Sequence, residues 1–452
     1  MPQPQRRRRH RHRPAAAMPY AKSRSQRQRQ PQRSANDGAP PLPDDALAGV
    51  FARLPCAADV VRCAAACALW RRVVATRTAP LPRSLPPAGR FLPQLAVGAF
   101  HQESDCLAGR RRNAALGPQP RFVATAAGSR LLGSPPSCLG ELLRRARAGM
   151  DGGLFDHSRP VASRSGRLVL ELQRESRGGG VTLCVCNPLT GHAAVLPLLS
   201  GEDKPTDYGC ALLTGDDLLP RRGASFFLLL LVYNRRRFTA LRCYSSDTGR
   251  WGPETRSAVE VSSAELRHIG PAVVRRGVAF WPLDNGALGV RPAADPEQAM
   301  EVHLLPYGVP HYWPEKRLLG ISPDGRLFFV YFAILAVYNI LIAKISYFDI
   351  RGDDIGSGRK ESSSNEEGIK MPEMTMATRD CTLKLRWAGE KSGMLLFTMG
   401  ESSGHNGTFV LDLGERTVEK LAVGEGDSWR NLFGFEMDWA AYLASFAPSE
   451  EN

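Results

Sequence analysis

Hydrophobic positions change their period once along this chain, from helical spacing to short strand-like runs. Leu47, Val50, Phe51 and Leu54 fall at i, i+3, i+4 and i+7, a single apolar stripe. Pro43, Asp44 and Asp45 precede it as a helix-start signature, with acidic groups at the positive end of the dipole, and Pro55 ends it. The pattern predicts a second helix from Asp59, with Val60, Val61, Ala64 and Cys67 inward. It predicts a third, short helix carrying Trp70, Val73 and Val74, with Arg71 and Arg72 between them. Three helices in residues 40–80 enclose a very small core, marginal on its own.

From residue 160 to 447 the runs are short, apolar and bounded by turn residues. Arg167–Leu172 follows Ser165-Gly166, Val181–Cys186 leads into Asn187-Pro188-Leu189-Thr190-Gly191, and Phe226–Tyr233 precedes Ser246-Asp247-Thr248-Gly249. Asp284-Asn285-Gly286 and Ser322-Pro323-Asp324-Gly325 repeat the same hairpin chemistry. Strand pairs without intervening helices predict an antiparallel all-β, propeller-like domain behind the small all-α module, in a multi-domain chain. Residues 81–159 read as an irregular linker with one helix near Leu139–Ala148. Residues 351–371, with Ser362-Ser363-Ser364 and several acidic side chains, read as a flexible loop. Leu327–Ala343 is almost wholly apolar but shorter than the ~20 residues of a membrane span. Its Asn339 and its β-branched and aromatic content favour two buried strands over a span.

Composition narrows the function classes. Among 452 residues, 43% hydrophobic and 23% charged side chains exclude a wholly disordered chain and a many-span membrane protein. The net charge of +14 resembles that of a nucleic-acid binder until it is located. Residues 1–37 hold eleven Lys and Arg against Asp37 alone, so the rest of the chain carries only about +4. A body so nearly balanced lacks a broad basic face for a phosphate backbone. Residues 1–39 read as a disordered basic tail, whose run Arg6–Arg13 fits a nuclear import signal, an organellar transit segment or a plain solvated tail. Ten scattered cysteines without a C-x-x-C, and no apolar leader, point to reduced thiols in the nucleus, the cytoplasm or both.

Candidate chemistry is sparse. Gly400-Glu401-Ser402-Ser403-Gly404 matches the nucleophile elbow G-x-S-x-G, which needs a strand before it, a helix after it and a histidine later in the chain. A strand follows instead, and His405 is the last histidine, so the segment reads as a hairpin loop. The histidines form no H-x-x-x-H pair, and the pattern implies no metal and no cofactor. Gly178-Gly179-Gly180 reads as a turn rather than a phosphate loop. Cys184 and Cys186 share one face of a strand and read as core thiols.

Leu42-Pro43-Asp44-Asp45, Leu54-Pro55, Asp59-Val60-Val61-Arg62 and Cys67-Ala68-Leu69-Trp70-Arg71 together resemble an F-box, departing from its usual pattern at Ala46, Gly49 and Ala66. The arrangement resembles plant F-box proteins, in which a long β-rich region follows the motif. Asn187-Pro188-Leu189-Thr190-Gly191 with Leu196-Pro197 is similar to their associated-domain signature. The stretch from Leu385-Arg386-Trp387 through Gly389–Gly393 to Tyr442-Leu443-Ala444 is similar to a region of grass members. The resemblance implies a non-catalytic substrate receptor of an SCF-type ubiquitin ligase. Leu42, Pro43, Leu47, Val50, Phe51, Leu54, Pro55, Val60, Val61, Cys67, Trp70 and Arg71 would then dock a Skp-family linker, and through it a cullin. The β domain would hold an unidentified target protein, with no membrane and no nucleic acid as partner. The competing reading is a non-ligase interaction or nucleic-acid-associated scaffold that uses the basic tail.

Overall fold

A computed structural model of the protein describes residues 42–54, 57–77, 90–103, 119–134, 136–146, 152–172, 180–199, 205, 207–235, 237–284, 286–293, 300–306, 317–335, 340–349, 359–360, 367–375, 383–400, 406–423 and 429–446. The chain divides into two units, Met1–Leu42 and Pro43–Asn452, and the architecture below is that of the second. The basic tail, Pro55, Gly178, Gly179, Asn285, Ser402, His405 and most of the expected acidic loop lie outside the described residues.

Three helices come first: α1 (Asp44–Phe51), α2 (Ala57–Ala66) and α3 (Ala68–Thr76). Two strands, β1 (Ala96–Glu103) and β2 (Arg121–Ala124), and two helices, α4 (Ala126–Leu132) and α5 (Leu139–Ala146), follow. Blade one is β3 (Ser158–Arg164), β4 (Arg167–Leu172), β5 (Thr182–Asn187) and β6 (His192–Val195). Blade two is β7 (Tyr208–Thr214), β8 (Phe227–Asn234), β9 (Thr239–Ser245) and β10 (Arg250–Trp251), with β11 (Thr255–Arg256) also on β9. A short α6 (Ser263–Arg267) leads to blade three, β12 (Val273–Arg275), β13 (Val278–Leu283), β14 (Gly286–Arg291) and β15 (Glu301–Pro306). Blade four is β16 (Arg317–Ile321), β17 (Leu327–Leu335), β18 (Ile340–Asp349) and β19 (Arg359–Lys360), with β20 (Glu367–Thr375) also on β18. Blade five is β21 (Leu383–Ala388), β22 (Met394–Met399), β23 (Gly407–Asp412) and β24 (Thr417–Ala422). The last strand, β25 (Trp429–Glu436), joins β1 and β2 as a three-stranded blade six, and α7 (Trp439–Ala444) follows it.

The first strands of successive blades, β3, β7, β12, β16 and β21, touch in sequence, and β25 touches both β21 and β3. The described residues therefore form a six-bladed, propeller-like ring with N-terminal helices attached. Two of its inner hairpins close with two-residue turns in which both residues have positive φ: Ser165 (46°) with Gly166 (74°), and Arg276 (48°) with Gly277 (76°). This geometry matches the right-handed twist of the paired strands.

Burial explains why the strands read as unbroken apolar runs. In β8, Leu229, Leu231 and Tyr233 face a cluster shared with blade one, while Leu228, Leu230 and Val232 face a cluster shared with blade three. The run at 327–343 has the same cause. Phe328, Val330 and Phe332 pack toward blade five, and Leu327 and Phe329 toward blade three. Alternate side chains point to opposite faces, and here both faces are covered, so neither can be polar. The run forms two strands, β17 and β18, and no described helix is long and apolar enough to cross a membrane.

Two expectations need correction. The β domain does not begin at residue 160, because β1 and β2 from the supposed linker are integral to blade six, and α4 adds a second helix there. Gly98 and His101 interrupt the apolar pattern of β1, and its main partner lies at the far end of the chain. Gly98 is required by close approach, since a Cβ there would sit 2.4 Å from the Phe122 ring. Second, residues 367–371 of the expected loop belong to β20, whose Ile369, Met371 and Met374 are buried in the core between blades four and five. Its acidic start conceals the strand.

Closure of the ring depends on β1 pairing with β25, from Ala96 opposite Glu436 to Glu103 opposite Trp429. Buried Gln102 fastens the seam: it accepts from Asn431 Nδ2 (2.8 Å) and donates to the Ser158 carbonyl (2.8 Å), joining β25, β1 and β3. Beside it His101 is buried, and burial together with the Arg121 charge lowers its pKa to about 4. The unfolded chain takes up a proton at this position near pH 6.5 and the folded one does not, so stability falls as pH drops from 6.5 toward 4. The loss amounts to about 3 kcal/mol at most. We expect His101→Gln to flatten the acid limb of the urea-midpoint profile over that window, and an unchanged profile would remove His101 as its source.

Candidate docking surfaces

The helical module does not close its own core. Leu47 and Phe51 of α1, Val60 and Ala64 of α2, and Val73 and Val74 of α3 belong to one cluster with Val97 and Phe100 of β1, Leu142 and Leu143 of α5, Phe435 of β25 and Leu443 of α7. The same cluster holds Leu168, Leu170, Cys184 and Cys186 of blade one. A core that three short helices cannot enclose is completed by the seam where blades six and one meet. Cys184 and Cys186 are free, buried thiols, and burial pushes Cys184 up to about 12, so both behave as apolar groups.

The residues singled out for docking divide between this core and the surface. Leu47, Phe51 and Val60 are buried, while Leu54, Val61 and Trp70 are half-buried. Trp70 and Phe51 form a T-shaped pair with 5.7 Å between ring centroids. Val50 is 51% exposed and Leu42 58% exposed. Pro43 is exposed and its carbonyl accepts from Leu47 N (3.1 Å), and Arg71 is exposed with Nε donating to the Ala64 carbonyl (3.4 Å). Two inward assignments are therefore corrected. Helix α1 ends at Phe51, so its buried stripe is the pair Leu47 and Phe51, and Val50 lies off that stripe. Cys67 is not part of α2: it stands extended between α2 and α3 (φ −155°, ψ 161°), exposed, capping α3 by accepting from Trp70 N at 3.4 Å. Arg72 pairs with Asp44 and Arg77 with Asp45 across the ends of α1 and α3, but these pairs are exposed and contribute little.

Gly49 sits on the exposed side of α1 with nothing within 4 Å of a Cβ built on it. Gly49→Ala should raise stability by about 0.5–1 kcal/mol through helix propensity alone, read as a higher urea midpoint of the full chain.

The two ends of the ring differ. The three N-terminal helices touch α4 and α7 at the end where the inner strands finish: α7 follows β25 directly, and α4 is capped by Thr125, whose hydroxyl donates to the Ala96 carbonyl at the start of β1 (2.6 Å). At this same end Arg164, the last residue of β3, crosses the ring. Its guanidinium binds Asp217 of blade two through both Nη atoms (2.6 and 2.8 Å), and its Nε donates to Glu390 beyond β21 (2.8 Å). Glu390 also accepts from Val274 N of blade three (2.8 Å), and Asp217 from Thr214 N (2.7 Å). Burial alone would lower the Arg164 pKa, but Glu390 and Asp217 outweigh it and hold the group firmly charged. Burial likewise opposes ionisation of Asp217, yet Arg164 and Thr214 keep its pKa below the usual carboxylate range. For Glu390 burial prevails and the pKa is raised.

The opposite end is where the inner strands begin. Residues from all six blades or their entry loops line a cavity of about 280 Å³ there, including Tyr208, Arg267, Arg317, Arg386 and Phe433. Local sequence spacing marks neither the Arg164 network nor this cavity, because their members lie scattered from residue 161 to 433. Tyr208 donates to Glu171 (2.5 Å), which also binds Arg159, so burial and the Glu171 charge hold its phenol un-ionised.

Among the described residues no three His, Cys, Asp or Glu side chains are grouped to hold a metal ion. Most of the G-x-S-x-G segment lies outside the described residues, and the strands that flank it, β22 and β23, pair antiparallel. No family model matches the chain, and no curated protein matches it significantly.

Arg164→Leu should destabilise the protein by about 3–5 kcal/mol, because it leaves two buried carboxylates uncompensated. Adding Glu390→Gln should recover part of that loss. Additive losses in the double variant, measured by urea unfolding, would mean that the three groups do not act as a unit.

Proposed function

We propose that this chain is a non-catalytic adaptor, and specifically a substrate-receptor subunit of an SCF-type ubiquitin ligase. In this reading the three N-terminal helices dock a Skp-family linker, and through it a cullin, while the propeller-like domain holds a target protein. The supporting observation is the single hydrophobic core that ties the helices to the seam of blades six and one, with a cavity lined by described residues at the other end of the inner strands. An adaptor needs two interfaces at a fixed separation, so that a transferred group is delivered at high local concentration. No residue of the chain then performs acid–base chemistry.

The exposed position in the helical motif supplies the test. Val50→Asp adds a charge to a surface side chain and leaves the Leu47–Phe51 core intact. Full-length protein carrying it should lose capture of a purified Skp-family linker while its thermal midpoint stays within about a degree, as expected of a surface change. Linker capture equal to wild type in this variant, or no capture by the wild-type chain, would sink the ligase reading. The propeller would then stand as an interaction scaffold of another kind.

A further inference from the structure

Protein kinases with an acidic substrate cleft read an arginine three residues before the serine or threonine they modify, by charge complementarity. That spacing occurs at Ser225, Thr239, Ser245, Ser362 and Thr382, of which Ser362 and Thr382 lie outside the described residues. Of the other three the fold leaves one accessible. We propose that Ser225, in the connection between β7 and β8, is a phosphorylation site for a basophilic serine kinase, with Arg222 as the residue that the enzyme recognises.

Burial makes the selection. Thr239 is 1% exposed in β9, and its hydroxyl donates to Asn234 Oδ1 (2.9 Å) and accepts from Val261 N (2.8 Å). Ser245, 3% exposed, lies at the other end of β9 between Leu228 of β8 and Arg250 of β10. A kinase needs its acceptor in a solvent-accessible segment, so reaching either would require pulling blade two apart. Residues 219–225, by contrast, are exposed without a break. Neither the Ser225 hydroxyl nor the Arg221 guanidinium has a partner among the described residues. Exposed tips with small and polar residues are where a folded chain admits enzymes, as proteolytic nicking shows.

Arg222 is held loosely. Its Nη1 donates to Asp247 Oδ2 (2.8 Å), and its guanidinium lies 5.2 Å from the Phe226 ring centroid. The side chains of this ion pair are 43% and 50% exposed, so the pair contributes little and Arg222 can exchange Asp247 for a carboxylate of the kinase. The loop that carries it stays anchored. Arg222 N donates to the Gly215 carbonyl (3.0 Å) and Phe226 N to the Gly223 carbonyl (3.0 Å). From β4 of blade one, Arg167 donates to the Ala224 carbonyl and to the Phe226 carbonyl (3.1 Å), on either side of Ser225. The acceptor is thus presented by a loop that is tied to two blades.

In the reaction, Ser225 Oγ attacks the γ-phosphorus of a nucleoside triphosphate held by the kinase. The Oγ–P bond forms as the bond from phosphorus to the bridging oxygen breaks, nucleoside diphosphate leaves, and the hydroxyl proton passes to a carboxylate of the kinase. The product carries a charge of about −1.5 to −2 and three acceptor oxygens. It stands on a loop that bears Arg221 and Arg222 and faces Asp247. Phosphate and guanidinium pair through parallel N–H donors, so the modified serine competes with Asp247 for Arg222.

The full chain, incubated with Mg–ATP and the constitutively active fragment of a calcium/calmodulin-regulated serine kinase, supplies the test, with sites mapped by fragment-ion mass spectrometry. We expect phosphate at Ser225 and none at Thr239 or Ser245. Ser225→Ala should remove it, and Ser225→Thr should keep it. Arg222→Ala should slow phosphorylation of Ser225 roughly tenfold while the thermal midpoint stays within about a degree, as for a surface change. Asp247→Asn, which releases Arg222 from its ion pair, should raise the rate. The proposal is overturned if phosphate enters only at other positions, or if Thr239 or Ser245 is modified as readily as Ser225. It is equally overturned if Arg222→Ala leaves the rate at Ser225 unchanged, or if Asp247→Asn lowers it.

Discussion

Everything in this protein depends on closing a ring whose every blade is apolar on both faces. A strand such as β8 offers leucines to both sides, so an open arc of these blades would leave two hydrophobic sheet faces in water. The six buried clusters are six blade-to-blade interfaces, and the last can form only if β25 finds β1. Asn431 and Gln102, bonded across that seam, are 329 positions apart. The closing pair is thus the least local contact in the ring, with the largest loop-closure entropy to overcome.

That constraint sets the position of the helices. Because β1 must reach β25, the chain before it is brought to the seam, and so is the C-terminal α7. The three N-terminal helices find Leu142, Phe435, Trp439 and Leu443 already gathered there and complete their core against them. A module too small to fold unaided borrows the interface that the ring needs for its own closure.

The legible part of the molecule is its local part. The three helices, the hairpins at Ser165-Gly166 and Asn187–Gly191, the buried strands at 327–343 and the paired core thiols follow from periodicity and turn chemistry within a few residues. Strand β1 was not legible, because Gly98 and His101 fit it to the Phe122 ring and to the buried seam rather than to a pattern of its own. Val50 matched the helical stripe in spacing, yet α1 is only eight residues long and presents a narrower face than the period allowed. Cys67 matched as well, and a chain reversal between two helices turned it into a cap. The Arg164 network and the cavity at the opposite end are tertiary constructions, each member an unremarkable residue in its own segment.

The polarity of the ring carries the functional logic further than any single residue does. At one end Arg164, Asp217 and Glu390 come together from the connections that follow β3, β7 and β21, and the ion pairs span blades one, two and five. Such a cluster is weak evidence for stability, since desolvation offsets much of its attraction, but breaking it is costly, so it holds the blades in register. At the other end the described residues line a cavity, with Arg317 of its lining paired to Asp284. One end therefore carries the N-terminal helices and a buried ion-pair network, while the other, among the described residues, carries a cavity. A ring whose two ends differ in this way is consistent with a general protein-interaction or scaffold role.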